Sequence, residues 1–214
     1  MKVYTYFDSC FVSNIAGETV KLWEKSWAAR GWEPIILSEK HAETHPFYFR
    51  FRESIKNFPS VNGLNFDYHA FMRWLAIANL KNSFIVTTEP DVINYTLDTN
   101  QVIKTGHELE IHSPVPAFLI GSSAEFERFC AHVLTHSIND NDVFEGRPHL
   151  SDQDFAARYA EPRNLVKFVR SSPFCSEAFS SGWELAPCVH FGTSYMAHRG
   201  FMPKHKYIPK LREK

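Results

Sequence analysis

The chain has 214 residues, 44% hydrophobic and 22% charged, proportions that build a full core and do not indicate disorder. A formal net charge of −1 excludes a strong overall pull toward nucleic acid or an anionic bilayer. Cys10, Cys130, Cys175 and Cys188 show no C-x-x-C spacing, so they read as reduced thiols of a cytoplasmic protein rather than as a zinc or disulfide frame.

Lys2–Phe7 alternates tyrosines and valine and reads as a first strand. Ser13 or Asn14 can cap a helix running to about Arg30, with Val20, Trp23 and Trp27 on one face and Gly31 as its stop. Glu33–Ser38 is a second strand. Strand, helix and strand in succession spell a right-handed βαβ unit, the opening of a parallel sheet. His41–Phe58 is aromatic-rich and predicts a helix from near Pro46, with Phe47, Phe51 and Ile55 roughly on one side. Asn65 or Asp67 then caps a helix to about Asn79 whose buried stripe is Phe71, Trp74, Leu75 and Ala78.

The run Ser83–Thr88 is β-branched and aromatic, the pattern of a buried strand, and Glu89-Pro90-Asp91 stands at its exit. Open α/β sheets bind ligands at such strand exits. Carboxylates two apart on extended chain point the same way and can share one hard cation, and Pro90 biases Glu89 toward extended geometry. A solvated acidic turn accounts for these three residues equally well.

Strand-like pieces follow at Gln101–Lys104, Glu108–His112 and Ala117–Ile120. A helix comes next from Ser123 to about His136, with Phe126, Phe129, Cys130 and Val133 inward. Asn139–His149 is polar and turn-rich, the composition of a mobile loop. Ser151 caps a short helix over Asp152-Gln153-Asp154-Phe155, with Asp154 in the capping-box position. A strand at Leu165–Val169, an irregular Ser/Pro stretch to Pro187, and the strand Cys188–Gly192 complete the pattern. From Arg199 onward Lys204, Lys206, Lys210, Arg212 and Lys214 stand against Glu213 alone, the composition of a solvated basic tail, a phosphate-holding terminus or a contact for a polyanion. No segment is long and apolar enough to read as a signal peptide or membrane span, so no stable membrane insertion is expected.

In this order the motifs resemble those of the GT-A glycosyltransferases. His69-Ala70-Phe71-Met72-Arg73-Trp74 is similar to that family's arginine-bearing helix, and Glu89-Pro90-Asp91-Val92 to its DxD motif in an ExD form. Ser151-Asp152-Gln153-Asp154 resembles its DQD-type segment, and Val189-His190-Phe191-Gly192 its metal-binding histidine strand. The resemblance spans most of the chain through short motifs. The glycine pair that often precedes DxD is replaced by Leu80-Lys81-Asn82, and the first acid is Glu.

The resemblance implies an α/β, GT-A-like fold: a Rossmann-like mixed sheet with helices on both faces. It implies one catalytic domain over residues 1–198, with a nucleotide-binding half (1–98) and an acceptor half (99–198), then a basic tail (199–214). Glu89, Asp91 and His190 would hold Mn²⁺ or Mg²⁺, an imidazole among oxygens suiting Mn²⁺ better. Such an ion neutralises a departing diphosphate. Arg73 would offer a planar fork to sugar or phosphate, with Lys204 and Arg199 as further cationic contacts and Gly192 beside the donor. Thr5, Phe7 and Asp8 would meet the base and ribose. Asp152 and Asp154 would contact sugar or, in an inverting enzyme, take the acceptor proton; Asp154 doubles as a cap partner, which leaves Asp152 freer. A retaining enzyme needs no base there. The implied donor is a nucleotide-sugar, a UDP-sugar first. The acceptor is a hydroxyl, of a saccharide, a lipid-linked glycan, a protein or a modified (hydroxylated) nucleic-acid base, the last kept open by the basic tail.

Each residue also has a plainer reading. Arg73 can be a surface residue at the rim of its helix, His190 a satisfied core histidine, and Asp152 a favourable charge at a helix N-terminus. His132 and His136 read as a polar helix face, since no third ligand and no H-E-x-x-H glutamate accompany them. Cys10 lacks a partner base for nucleophilic work. Two other functions compete: a two-metal phosphoesterase or nuclease, for which Asp98 is the one extra acid close by, and a non-catalytic nucleotide- or sugar-binding module.

Overall fold

A computed structural model describes residues 1–8, 14–61, 64–104, 106, 108–112, 115–139 and 149–211. Apart from its two end residues, the loop expected between Asn139 and His149 lies outside these described residues, as do Cys10, Ser13 and Arg212–Lys214.

The predicted βαβ opening is present as β1 (Lys2–Tyr6), α1 (Asn14–Ala28) and β2 (Glu33–Leu37), with β1 and β2 parallel from Lys2 opposite Glu33 to Tyr6 opposite Leu37. Val20, Trp23 and Trp27 are buried. Gly31 takes φ +76° where the helix ends, a left-handed conformation that costs glycine no Cβ clash. The chain continues through α2 (Tyr48–Lys56), α3 (Leu64–Ala78), β3 (Ile85–Thr88), β4 (Val92–Asn94), β5 (Leu109–Ile111), β6 (Phe118–Gly121) and α4 (Ser123–Asn139). Then come α5 (Asp152–Phe155), β7 (Val166–Phe168), β8 (Cys175–Glu177), β9 (Cys188–His190), α6 (Thr193–His198) and α7 (Lys204–Leu211).

Six strands form a mixed sheet in the order β2-β1-β3-β6-β5-β7. β1 is parallel to both its neighbours, while β6 runs antiparallel to β3 and β5. Alternate residues of a strand leave on opposite faces, and the core divides accordingly. Tyr4, Ile85 and Leu119 pack with Phe51, Phe71, Trp74 and Phe129 of α2, α3 and α4. Val3, Val86 and Ile120 pack with Trp23 and Trp27 of α1 and with Val92 and Val189 of a second, three-stranded sheet. That sheet has the order β4-β9-β8, with β9 antiparallel to β4 and parallel to β8. The expected mixed α/β architecture with helices on both faces is what forms.

Several local expectations differ. Gln101–Lys104 forms no strand, whereas β4 and β8 appear where none is expected. α3 begins at Leu64, ahead of both expected caps, and Asp67 instead accepts the Ser60 hydroxyl from inside the first turn. Lys204–Leu211, within the expected basic tail, is a helix that buries Ile208 and packs Tyr207 and Leu211 against the α1 side of the core. Leu211 stands four residues after Tyr207 and three after Ile208, an apolar stripe that a count of charges conceals.

Candidate active site

The acidic pair owes its position to the first third of the chain. Trp23 donates its indole N–H to Thr88 Oγ1 at 2.8 Å, and Trp27 donates to the Val92 carbonyl at 3.0 Å. Both indoles project from α1, so the two ends of Thr88–Val92 are pinned to one rigid helix. Thr5 donates its hydroxyl to the Thr88 carbonyl at 2.8 Å. Glu89 N–H reaches the Ala117 carbonyl at 2.8 Å, and Val92 N–H closes the turn on the Glu89 carbonyl at 3.1 Å. Backbone bonds tie the turn onward to β9, where Phe191 N–H meets the Asp91 carbonyl at 3.0 Å.

Val92 lies opposite His190 in the β4–β9 ladder, which brings the late histidine onto the acidic pair. His190 Nε2 is 3.2 Å from Glu89 Oε2 and 3.4 Å from Asp91 Oδ1. The ligating atoms of these three residues all lie within 4.8 Å of one another, and among the described residues no other group of three His, Cys, Asp or Glu converges in this way. Both His190 Nε2 and Asp91 Oδ1 are buried without a hydrogen-bond partner. Orphaned buried polar atoms are costly, and a cation shared by two carboxylates and an imidazole answers both orphans at once. The donor set, two hard oxygens and one nitrogen, fits Mn²⁺.

Charge is arranged tightly around this point. Burial pushes the Asp91 carboxyl up, but the Lys204 ammonium and His190 outweigh it and hold the carboxyl well below the usual range. Glu89 is likewise raised by burial and brought lower by Arg73 and His190. For His190 burial alone lowers the pKa, and the negative charge of Asp91, together with Glu177 and Glu89 around the ring, carries it well above 6.5.

Arg73 is buried on α3 and joins the acidic turn to the distal Asp-Gln-Asp helix. Its guanidinium donates to Glu89 Oε1 at 2.8 Å and to Asp152 Oδ2 at 2.7 Å. Trp74 donates its indole N–H to the same Asp152 oxygen at 2.8 Å. Arg73 Nε is buried with no partner. The surface reading of Arg73 is therefore set aside. Asp152 is also less free than its sequence position implies: it is buried and held by two donors, and burial raises its pKa against the pull of Arg73 and Trp74. Asp154 makes the expected capping box with Ser151, accepting its hydroxyl at 2.9 Å, and lies 3.6 Å from Arg158.

The other candidates separate into two groups. Lys204 joins the cluster, its Nζ 2.5 Å from Asp91 Oδ2, and Gly192 follows two residues after His190, buried. Phe7 and Asp8 are half-buried at the exit of β1, where Asp8 Oδ2 accepts the Glu39 N–H at 3.4 Å. Arg199 is exposed and stacks its guanidinium 4.9 Å above the Phe179 ring. Thr5 is fully buried with its hydroxyl already donated, a tie for the acidic turn. His132 is buried and packs edge-on against Phe155, whereas the His136 side chain and Cys10 fall outside the described residues.

One residue of the cluster has no place in the sequence motifs. Glu177 Oε2 lies 2.7 Å from His190 Nδ1. Its strand, Cys175-Ser176-Glu177, is short, polar and set in a Ser/Pro-rich stretch, so periodicity gives no signal for it. Only the pairing of β8 with β9 reveals the contact.

No protein-family model and no curated protein sequence matches the chain. Solved structures do. A glycosyltransferase involved in glycosylation of the major capsid of PBCV-1 aligns with a TM-score of 0.55 and 13% identity, over 94% of this chain and 98% of that one. Mouse xyloside xylosyltransferase 1 aligns with a TM-score of 0.59 and 11% identity, over 91% and 99%. The galactosyltransferase LgtC, solved with donor and acceptor sugar analogues, aligns with a TM-score of 0.52 and 12% identity, over 96% and 82%. At such identities the likeness is one of fold, and the fold is GT-A-like, as the order of motifs implies.

Proposed function

We propose that this protein is a glycosyltransferase that moves a sugar from a nucleotide-sugar donor, a UDP-sugar first, to a hydroxyl acceptor on a glycan or a modified nucleic-acid base. Glu89, Asp91 and His190 would hold Mn²⁺ or Mg²⁺. The observation that carries the reading is the convergence of these three side chains, with two orphaned buried atoms among them, at a strand exit of a GT-A-like sheet. Bound there, a divalent cation supplies Lewis-acid neutralisation of a departing nucleoside diphosphate.

The chain's own residues supply the rest. Phe7 and Asp8 meet the nucleoside at the exit of β1, with residues 1–98 as the nucleotide half and 99–198 as the acceptor half. Lys204 and the unpartnered Nε of Arg73 place positive charge beside the acidic turn, where phosphate oxygens require it. Arg199 and Gly192 complete the donor side. Asp152, fixed by Arg73 and Trp74, orients the sugar; Asp154 is the more exposed acid of the helix and the one available to an acceptor proton in an inverting reaction. Thr5 acts through the turn it holds. A cytoplasmic setting accords with Cys130 and Cys175 as buried thiols, and no described helix is long and apolar enough to cross a membrane.

The two-metal phosphoesterase reading needs further acids at the cluster. Among the described residues the groups whose ligating atoms converge are Glu89, Asp91 and His190; the further acid nearby, Glu177, lies against the other ring nitrogen of His190, and Asp98 is exposed with its N–H bonded to Gln101. A thermal-shift scan against UDP-, GDP-, CMP- and dTDP-sugars, with and without Mn²⁺, tests the proposal. It expects a Mn²⁺-dependent shift with one donor, abolished in Asp91→Ala, and slow donor hydrolysis. Binding without hydrolysis or transfer would indicate a non-catalytic module, and phosphodiester cleavage without donor preference would indicate a phosphoesterase.

A further inference from the structure

Glu177 stands outside the ligand set, yet it governs how His190 is presented. β8 and β9 run parallel with Glu177 directly opposite His190. The backbone locks this register, because Ala178 N–H donates to the His190 carbonyl at 2.9 Å. The two side chains are 9% and 6% exposed, and Glu177 Oε2 lies 2.7 Å from Nδ1. The other carboxylate oxygen, Oε1, is buried without a partner. The pair with the ring leaves that second oxygen's desolvation unanswered, so stability alone does not account for its place.

The chemistry of imidazole explains it. A neutral ring carries its proton on one nitrogen and a lone pair on the other, and the partner of the first nitrogen decides which is which. With a carboxylate accepting at Nδ1, the proton stays there and the lone pair is delivered at Nε2. Nε2 is the nitrogen that faces Glu89 Oε2 at 3.2 Å and Asp91 Oδ1 at 3.4 Å. Without Glu177 the ring is free to carry its proton on either nitrogen and to turn about its own axis.

We infer that Glu177 is the positioning residue of the metal centre: its carboxylate fixes the His190 ring and keeps a proton on Nδ1, which commits Nε2 to a divalent cation shared with Glu89 and Asp91. The inference rests on the metal-site reading above. It assigns Glu177 no contact with the cation or the substrate. Its effect passes entirely through the orientation and basicity of one imidazole.

The test is Mn²⁺ binding to the full chain without nucleotide, read by the electron paramagnetic resonance signal of free Mn²⁺, beside melting of the same proteins in EDTA. Glu177→Leu should weaken Mn²⁺ binding about 10- to 100-fold, the usual effect of removing such a partner, and should also lower metal-free melting, because His190 loses a buried partner. Glu177→Gln, which keeps an acceptor oxygen, should fall between Leu and the wild type. A folded Leu variant that binds Mn²⁺ as well as the wild type overturns the assignment while leaving the metal site intact, whatever its melting temperature. If Glu177→Leu does not fold, Glu177→Gln decides, and undiminished affinity overturns the inference. A wild-type protein that binds no Mn²⁺ overturns the metal reading and this inference with it.

Discussion

Lys204 Nζ lies 2.5 Å from Asp91 Oδ2, although the two residues are 113 positions apart. Asp91 thus divides its oxygens: Oδ2 faces the ammonium at the start of α7, and Oδ1 faces the His190 ring. The C-terminal helix is fastened directly to the acid that the proposed metal site depends on.

Lys204→Met keeps most of the side-chain stem and removes its charge, leaving Asp91 buried beside Glu89 without its cation. Breaking a buried pair from one side costs about 3–5 kcal/mol. Urea denaturation in EDTA should show a loss of that order. Saturating Mn²⁺ should recover part of it by giving Asp91 another positive partner.

Asp152→Ala leaves the Trp74 indole N–H without its acceptor and the Arg73 guanidinium with Glu89 alone, so a loss of about 1–3 kcal/mol is expected in urea denaturation. Asp152→Asn keeps an acceptor of the same shape and should lose less. Its neutral amide holds Arg73 more loosely, and a misplacement near the reacting groups can cost about 100-fold. Donor turnover should therefore fall by roughly that factor while the protein still melts cooperatively.

Stability without metal should depend on pH in a defined sense. Folded His190 is protonated where the unfolded ring, near 6.5, is neutral. Its contribution is therefore fully present below pH 6.5 and is lost as pH rises through the higher folded value. Asp91 and Glu89 are held low, so their contributions are present above about pH 4 and are lost as pH falls through the folded values. Melting in EDTA should peak between these limits, and His190→Gln should flatten the alkaline side. Mn²⁺ has to displace the Nε2 proton, so its apparent affinity should rise with pH.

Trp27→Phe retains a large ring in the core but deletes the N–H that reaches the Val92 carbonyl. Leaving a buried carbonyl unsatisfied costs about 1–3 kcal/mol. The same variant should bind Mn²⁺ more weakly, since one end of the acidic turn is released. Unchanged affinity at lowered stability would mean that the backbone ladder holds the turn unaided.

Much of this fold is legible because its signals are local. The period of Val20, Trp23 and Trp27, the stop at Gly31 and the apolar run into Glu89 each declare themselves within a few residues. The acidic pair and His190 are legible as types in order. Contacts made across the chain are not. β4 is three residues long and exists only against β9; β8 is polar and exists only beside β9, which hides Glu177. Asp152 looks unencumbered until Trp74 and Arg73 are brought onto it by the packing of α3. Thr5 looks like a ligand contact because it stands near a strand exit, but its hydroxyl is spent on Thr88. The basic residues after Arg199 mask the stripe of Tyr207, Ile208 and Leu211 that makes a helix of them.

Since two indoles grip the ends of the segment bearing Glu89 and Asp91, the chain carries its own optical gauge. Capture of a cation or nucleotide that tightens or shifts that segment reaches chromophores already bonded to it. Quenching or a change in emission colour would register the event without an attached dye.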